Sequence, residues 1–347
     1  MLIQATAPVF SKAPRAGVNL QQVWHFDESE LSPNATAVLQ EFCTNESLNE
    51  VATRAAWFSL AVLEFQDTLS LVLPEEGQFL HRNYLFHEAL AALRESALTG
   101  LNGSYHSSFA VLRSALELFI SHYWWRNRLR VQDSCEEFYR WLSGEDNRRS
   151  DRFSSFITET YSAVSMPSAA RDQAATRAVY SKLCSYSHKP ILAEATTKLK
   201  GGNEPKASDR AIRYWLELLT ETLECLLDFA VANHPQAVFP VNVYRKFGFN
   251  VPIAALLDQY SFVPIAAALG DSAVAEYQRH YRKQATAVLQ WYEEQTDLGD
   301  DEIMSSWTDE VSFDDDEEAF EAKLVRRVSA SKAHIRAMLL LFSYAAP

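Results

Sequence analysis

Glycine is scarce in this 347-residue chain, with ten copies, and none is arranged for nucleotide chemistry. There is no G-x-x-x-x-G-K and no G-x-G-x-x-G. That excludes the P-loop and the dinucleotide-binding turn, in which glycines let backbone N–H groups approach phosphate. The G-x-S-x-G elbow of the serine hydrolases is missing too. Cysteine is equally sparse: Cys43, Cys135, Cys184 and Cys225 stand far apart with no C-x-x-C pair. They are expected to be small core residues of a reducing compartment. The first twenty residues lack the continuous apolar stretch of a signal peptide, and apolar runs such as 337–341 are too short for a bilayer. A cytoplasmic protein with no membrane partner is the expectation. His87-Glu88 opens like the zinc-protease helix motif, but position 91 is Ala, so the second histidine is missing. With nine dispersed histidines, neither a metal site nor a cofactor is expected.

What the chain has in quantity is hydrophobic residues, 48% of the total, set among Ala, Leu, Glu and Arg. Those residues favour helix over sheet, and the chain is long enough for one large domain or two ordinary ones. The fold class read from this is all-α: a bundle of long antiparallel helices plus a smaller C-terminal helical region. Net charge is −13, yet twelve acids and no Lys or Arg lie between 297 and 321. Removing them leaves −13 + 12 = −1, so the body is near neutral and offers no bulk electrostatic case for nucleic acid.

The stretch 105–130 is the best-patterned segment. At about 100° per residue, Tyr105, Phe109, Leu112, Leu116, Phe119, Ile120 and Tyr123 form one apolar stripe. Gly100 to Ser104 supply turn chemistry before it. Helices are predicted over 34–44, 48–73, 76–98, 104–130, 133–142, 150–164, 168–186 and 209–233. Segments 48–73, 76–98 and 104–130 are expected to be the heart of the bundle, with short connections making neighbours antiparallel. Residues 1–33, with Pro8, Pro14 and Pro33, are read as an extended arm carrying a strand near 18–26. An exposed loop is expected over 198–208. The bundle is taken to end near 235. Beyond it come a proline-spaced connector, a helix from an Asp271 cap to about 295, the acidic segment 297–321 and a last helix over 317–344. Pro252 and Pro264 suit first helical turns.

Several side chains carry candidate chemistry. His106, Arg113 and Glu117 lie along one edge of the apolar stripe, and Arg113 and Glu117, one turn apart, can pair. With His188 in the polar cluster Ser185-Tyr186-Ser187-His188 they form a candidate ligand-binding set. Arg126 to Arg130, after Trp124 and Trp125, mix basic and aromatic character and leave RNA contact open. Metal-independent RNA cleavage needs a base for the ribose 2′-hydroxyl and a cation for the charged phosphorane, roles that His and Arg fill. Arg82-Asn83-Tyr84-Leu85-Phe86-His87 reads R-N-x-x-x-H. That motif, with the helical texture around Arg113 to Glu117 and Tyr180 to His188, resembles the HEPN superfamily over about 48–235. Its members are all-helical domains, many of them ribonucleases of defence and toxin systems. The resemblance implies Arg82, Asn83 and His87 as catalytic residues of a metal-independent ribonuclease in a bacterial defence or toxin-type system. On a helix Arg82 and His87 stand about 140° apart, so they share a face only if the helix begins between them.

The acidic segment has three readings: a solvated linker, a docking strip for a basic protein partner, or an intramolecular cover for a basic surface. As a docking strip it would use Trp307 and Phe313 as anchors among Asp314, Asp315 and Asp316. A non-catalytic interaction subunit, binding a protein through its helical surface and this strip, stands beside the ribonuclease reading. Self-association is open in either case.

Overall fold

A computed structural model describes residues 19–70, 78–129, 136–143, 153–168, 170, 173–188, 209–247, 256–299 and 301. Among them the protein is all-α, and the only β pairing is an isolated bridge between Val241 and Asp258. The helices are α1 (Leu20–Val23), α2 (Pro33–Thr44), α3 (Glu46–Ser70), α4 (Gln78–Leu101), α5 (Tyr105–Leu129), α6 (Glu136–Leu142), α7 (Phe153–Ala163) and α8 (Gln173–His188). They continue with α9 (Asp209–Asn233), α10 (Val243–Phe247), α11 (Gln259–Leu269) and α12 (Asp271–Glu294), with 3-10 turns at Glu28–Glu30 and Pro235–Val238. The loop expected over 198–208, Pro252, the acidic segment from 302 onward and the last helix lie outside the described residues.

The strand expected near 18–26 is instead the short helix α1. Leu20, Val23 and Trp24 fall at i, i+3 and i+4, which is helical spacing and not alternation, and all three are buried with Phe26. The described part of the arm is therefore core. Arg94 of α4 clips it down: its guanidinium lies over the Phe26 ring, donates to the Trp24 carbonyl at 3.1 Å and pairs with Glu30 at 2.8 Å. Ser32 caps α2, with Pro33 in the first turn, and its own N–H donates to Asn102 Oδ1 at 2.9 Å. The α4–α5 turn thus fixes the entry of α2. Asn45 caps α3.

α4 and α5 form a close hairpin. At its tight end Ser96 and Ser108 hydrogen-bond each other's carbonyls at 2.9 and 2.8 Å, and Trp215 Nε1 donates to Ser108 Oγ at 2.9 Å. The sequence order suggests α3 beside this hairpin, but α3 packs chiefly on α9 and α11. α9 is the centre of the molecule. Every residue from Cys225 to Ala232 is buried, so this half of the helix is enclosed all round. Its Asp228 accepts a hydrogen bond from Tyr277 of α12. Phe262, Ile265, Val274, Tyr277 and Tyr281 of α11 and α12 belong to the same buried cluster as α3, α4, α5 and α9.

Two turn assignments differ from expectation. Pro264 lies inside α11, because Asp258 caps that helix earlier by accepting from Tyr260 N and Ser261 N at 2.6 and 2.7 Å. Asp271 is the first residue of α12 and the cap position is Gly270, whose φ of 79° ends α11 and starts α12 in one residue.

Candidate functional site

Four clusters on or beside α5 concern function. The first is the seam between α5 and α8. Phe109 meets Tyr186 at 4.6 Å between ring centroids, while Glu117 meets Tyr180, so the two helices run antiparallel. Arg113 and Glu117 pair as their spacing predicts, Nε to Oε1 at 2.9 Å. The same Oε1 accepts the Tyr180 hydroxyl at 2.8 Å, and the guanidinium lies over the Tyr180 ring, 5.6 Å from its centroid. Burial, and then the bond to the Glu117 carboxylate, holds the Tyr180 hydroxyl well above its ordinary range, so it remains a donor. Burial draws the Arg113 guanidinium down, but the Glu117 carboxylate more than restores it. The Phe153 ring of α7 lies tilted against Tyr180, 4.5 Å between centroids, and Cys184, one turn on, is a half-buried free thiol. This arrangement joins α5 to α8 and commits its cation, carboxylate and phenol to one another. His106, one helical edge away, is exposed. His188 is the last residue of α8, at the level of the first turn of α5, and its side chain lies outside the described residues.

The second cluster is the R-N-x-x-x-H stretch. α4 begins at Gln78, before both Arg82 and His87, and runs unbroken to Leu101. The two positions therefore stand on different faces of one helix, about 140° apart. The Arg82 side chain lies outside the described residues. Asn83 is half-buried and His87 exposed, and these two, one turn apart, share a face. Between them Phe86 turns inward, its ring 5.1 Å from Phe119 and 5.5 Å from His122.

The third cluster is not signalled in the sequence. Behind Phe86, the second half of α5 and the residue ending α9 assemble His122, Tyr123, Arg126 and His234. His122 is 1% exposed and His234 3%. Tyr123 is enclosed between the rings of His122, at 4.8 Å, and His234, at 6.3 Å. Arg126 bonds His234 Nε2. A guanidinium only donates, so this nitrogen accepts and the ring carries its proton on Nδ1. Burial pushes the Tyr123 hydroxyl far above its ordinary range. An Arg–His contact of the kind sought in α4 thus exists between α5 and the α9 terminus, with its histidine buried and its arginine half-buried. The one available pointer is His122 itself, three residues beyond Phe119 on the buried stripe. His234, 108 residues beyond Arg126, gives none.

Beside these lies a separate small cluster of Leu85, Trp125 and Phe138, with Trp124, Trp141 and Leu142 packed on it. Tyr84 and Tyr139, each adjacent in sequence to one of its members, are 46% and 41% exposed. Arg128 covers the Trp124 ring at 5.1 Å and pairs with Glu137 at 3.1 Å.

Among the described residues, no group of three or more His, Cys, Asp or Glu stands close enough to hold a metal ion, and no helix is long and apolar enough to cross a membrane. Trp307, Phe313, Asp314, Asp315 and Asp316 lie outside the described residues. The first acid of the strip is described: Asp297 pairs with Arg245 at 2.8 Å and Lys246 at 2.6 Å. Comparison with protein families, with curated proteins and with solved structures finds no match for this chain.

Proposed function

We propose that this protein is a non-catalytic helical subunit, of the kind found in bacterial defence or toxin-type systems, that holds a protein partner on its α4–α5–α6 surface. The observation that carries this reading is the exposure of Tyr84 and Tyr139, each next in sequence to a member of the small Leu85–Trp125–Phe138 cluster. Aromatic side chains beside arginine, outside the main core, are the composition of interface anchors. The other clusters support it by default. The Arg113–Glu117–Tyr180 set is internally satisfied, and the half-buried Arg126 is bonded to a histidine, His234, that is itself buried.

A second reading, metal-independent RNA cleavage, draws on one observation: Asn83 and exposed His87 share a face of α4. Because Arg82 stands on another face, this reading needs its cation from elsewhere, either another arginine or a second copy of the chain. Incubation of purified protein with RNA in EDTA, wild type against His87→Ala, with light scattering on the same samples, separates the two. Intact RNA with both proteins is expected. Partner capture from the host should fall at least about tenfold in Tyr84→Ala/Tyr139→Ala, the size of loss that removing interface anchors produces. RNA loss that vanishes with His87→Ala would overturn the interaction reading.

A further inference from the structure

Charge is unevenly placed along this chain. Between 229 and 292 five Lys or Arg stand against three acids, Asp258, Asp271 and Glu276, a net of +2 in a chain whose total is −13. Two of the five, Arg245 and Lys246, are paired with Asp297. The other three, Arg279, Arg282 and Lys283, are exposed within little more than one turn of α12. Opposite them Val274, Tyr277, Tyr281, Ala285 and Val288 are buried, so the amphipathic register of the helix holds the three cations outward. Among the described residues none of the three side chains has a hydrogen-bond or ion-pair partner. His280, beside them, is engaged by Ser165 at 3.0 Å.

The same part of the molecule shows how it receives a carboxylate. Gln295, in extended conformation, ends α12, and the chain then lays Asp297 across Arg245 and Lys246 of α10, at 2.8 and 2.6 Å. Leu298 N donates to the Arg245 carbonyl at 2.9 Å. Two ion pairs and one backbone bond thus seat an acidic stretch on α10. The outward face of α12 has the cations for a similar contact and no carboxylate of its own. Its limits are acidic: Glu276, which accepts from Ser168, precedes it, and Glu293 and Glu294 follow. The acid-free stretch between them, 277–292, is about 24 Å of helix at 1.5 Å per residue. Extended chain covers that in about seven residues.

We propose that the outward face of α12 docks a short, extended acidic segment of a protein partner, whose carboxylates pair with Arg279, Arg282 and Lys283. This surface is additional to that of α4, α5 and α6, since α12 packs chiefly on the Pro235–Val238 turn and α11. Charge complementarity sets the sign of the occupant, and three unpartnered cations on one turn set its density. Length and chemistry set its class. A polyanion longer than the acid-free stretch would run over Glu276 at one end or Glu293 and Glu294 at the other. Single-stranded nucleic acid also needs aromatic rings for its bases. Beside the cations the outward face presents Ala275, Thr286 and Gln290, and no ring. Arginine meets a carboxylate through two parallel N–H groups, so Arg279 and Arg282 give the contact direction as well as charge. Exposed pairs are individually weak, so the three act together or not at all, and salt screens them.

Fluorescence anisotropy of a labelled peptide of about eight Asp and Glu residues, titrated with the full chain at low salt, tests this directly. The acidic peptide should bind, and its Asn/Gln counterpart should not. Affinity should fall at least about tenfold in 0.5 M salt. It should fall as far in the triple variant Arg279→Ala/Arg282→Ala/Lys283→Ala, whose helical circular dichroism should match wild type because all three side chains are exposed. Tyr84→Ala/Tyr139→Ala should leave peptide binding unchanged, which separates this surface from the α4–α5–α6 reading. Absence of binding by the wild type, or equal binding of the neutral peptide, would overturn the proposal. So would a loss in Arg245→Ala/Lys246→Ala that the α12 variant does not share, which would seat the peptide on α10. A length-matched single-stranded oligonucleotide that binds the same three cations more tightly than the peptide would assign the face to nucleic acid instead. Salt-sensitive self-association abolished by the triple variant, read by light scattering, would assign it to a second copy of the chain and overturn the proposal likewise.

Discussion

Gly100 is the residue whose side-chain absence the hairpin needs most. A Cβ there would lie 2.1 Å from Trp215 Cε2, and Trp215 cannot yield, being fully buried and anchored by its Nε1–H to Ser108. Gly100→Ala should therefore cost about 3 kcal/mol, the upper range for overpacking, in spite of the better helix propensity of Ala. A urea midpoint equal to wild type would show that α9 shifts freely against the hairpin. In sequence this glycine reads only as turn punctuation, because the tryptophan that demands it is 115 residues away. The same asymmetry holds at the α5–α8 seam. Arg113 and Glu117 are legible as a pair, since i,i+4 spacing is written in the sequence, whereas Tyr180, which completes the cluster, sits on a helix whose register against α5 no local pattern encodes. The motif at Arg82 and His87 shows the converse: its letters are plain, and the start of α4 at Gln78 decides that they face apart.

At the scale of elements, α12 is joined to the central helix by a polar contact inside an apolar surround. Tyr277 donates to the buried Asp228, while the Tyr281 hydroxyl reaches the Ser165 carbonyl at 2.7 Å. Tyr277→Phe removes a donor and leaves a buried carboxylate under-satisfied, which should cost about 1–3 kcal/mol. The loss should appear in hydrogen exchange as weaker protection of α12 before α4 or α5 is affected. Uniform weakening of all helices would instead make α12 part of one cooperative unit with the hairpin. Element existence is well marked in the sequence. The helices expected over 34–44, 76–98, 104–130, 150–164 and 209–233 are all present with ends shifted by a few residues, because apolar periodicity and breakers are local. Element neighbours are not marked. Chain order suggests α3 beside α4, while the structure sets α3 against α9 and α11. The strand near 18–26 fails for a local reason, since its apolar residues are spaced for a helix. The centrality of α9 comes from its being apolar nearly all round over 225–232, with Asp228 as the one charged residue, a pattern easily passed over beside the better-defined stripe of α5.

For the molecule as a whole, the buried tyrosines set its response to alkali. Tyr105 is pushed up to about 12 by burial. Tyr123, Tyr180, Tyr277 and Tyr281 are raised further, burial again being the largest cause, joined at Tyr277 and Tyr281 by the negative charge of Asp228 and at Tyr180 by Glu117. The unfolded chain ionises its tyrosines near pH 10. Above that pH the folded state holds more protons than the unfolded one, so stability falls as pH rises. The contribution is intact below about 10 and is lost through about 12 and beyond. Tyrosinate absorbance near 295 nm and helical circular dichroism, followed together from pH 8 to 12.5, should therefore diverge first and then converge. The steep rise from the buried rings should coincide with the collapse of the helix signal. A single smooth titration of all tyrosines near pH 10 with the helix signal intact would mean that α5, α8 and α12 do not enclose these rings together. The five lie on three helices and meet the α3–α9 core from different sides, so their joint release above pH 10 tests the bundle as one cooperative body.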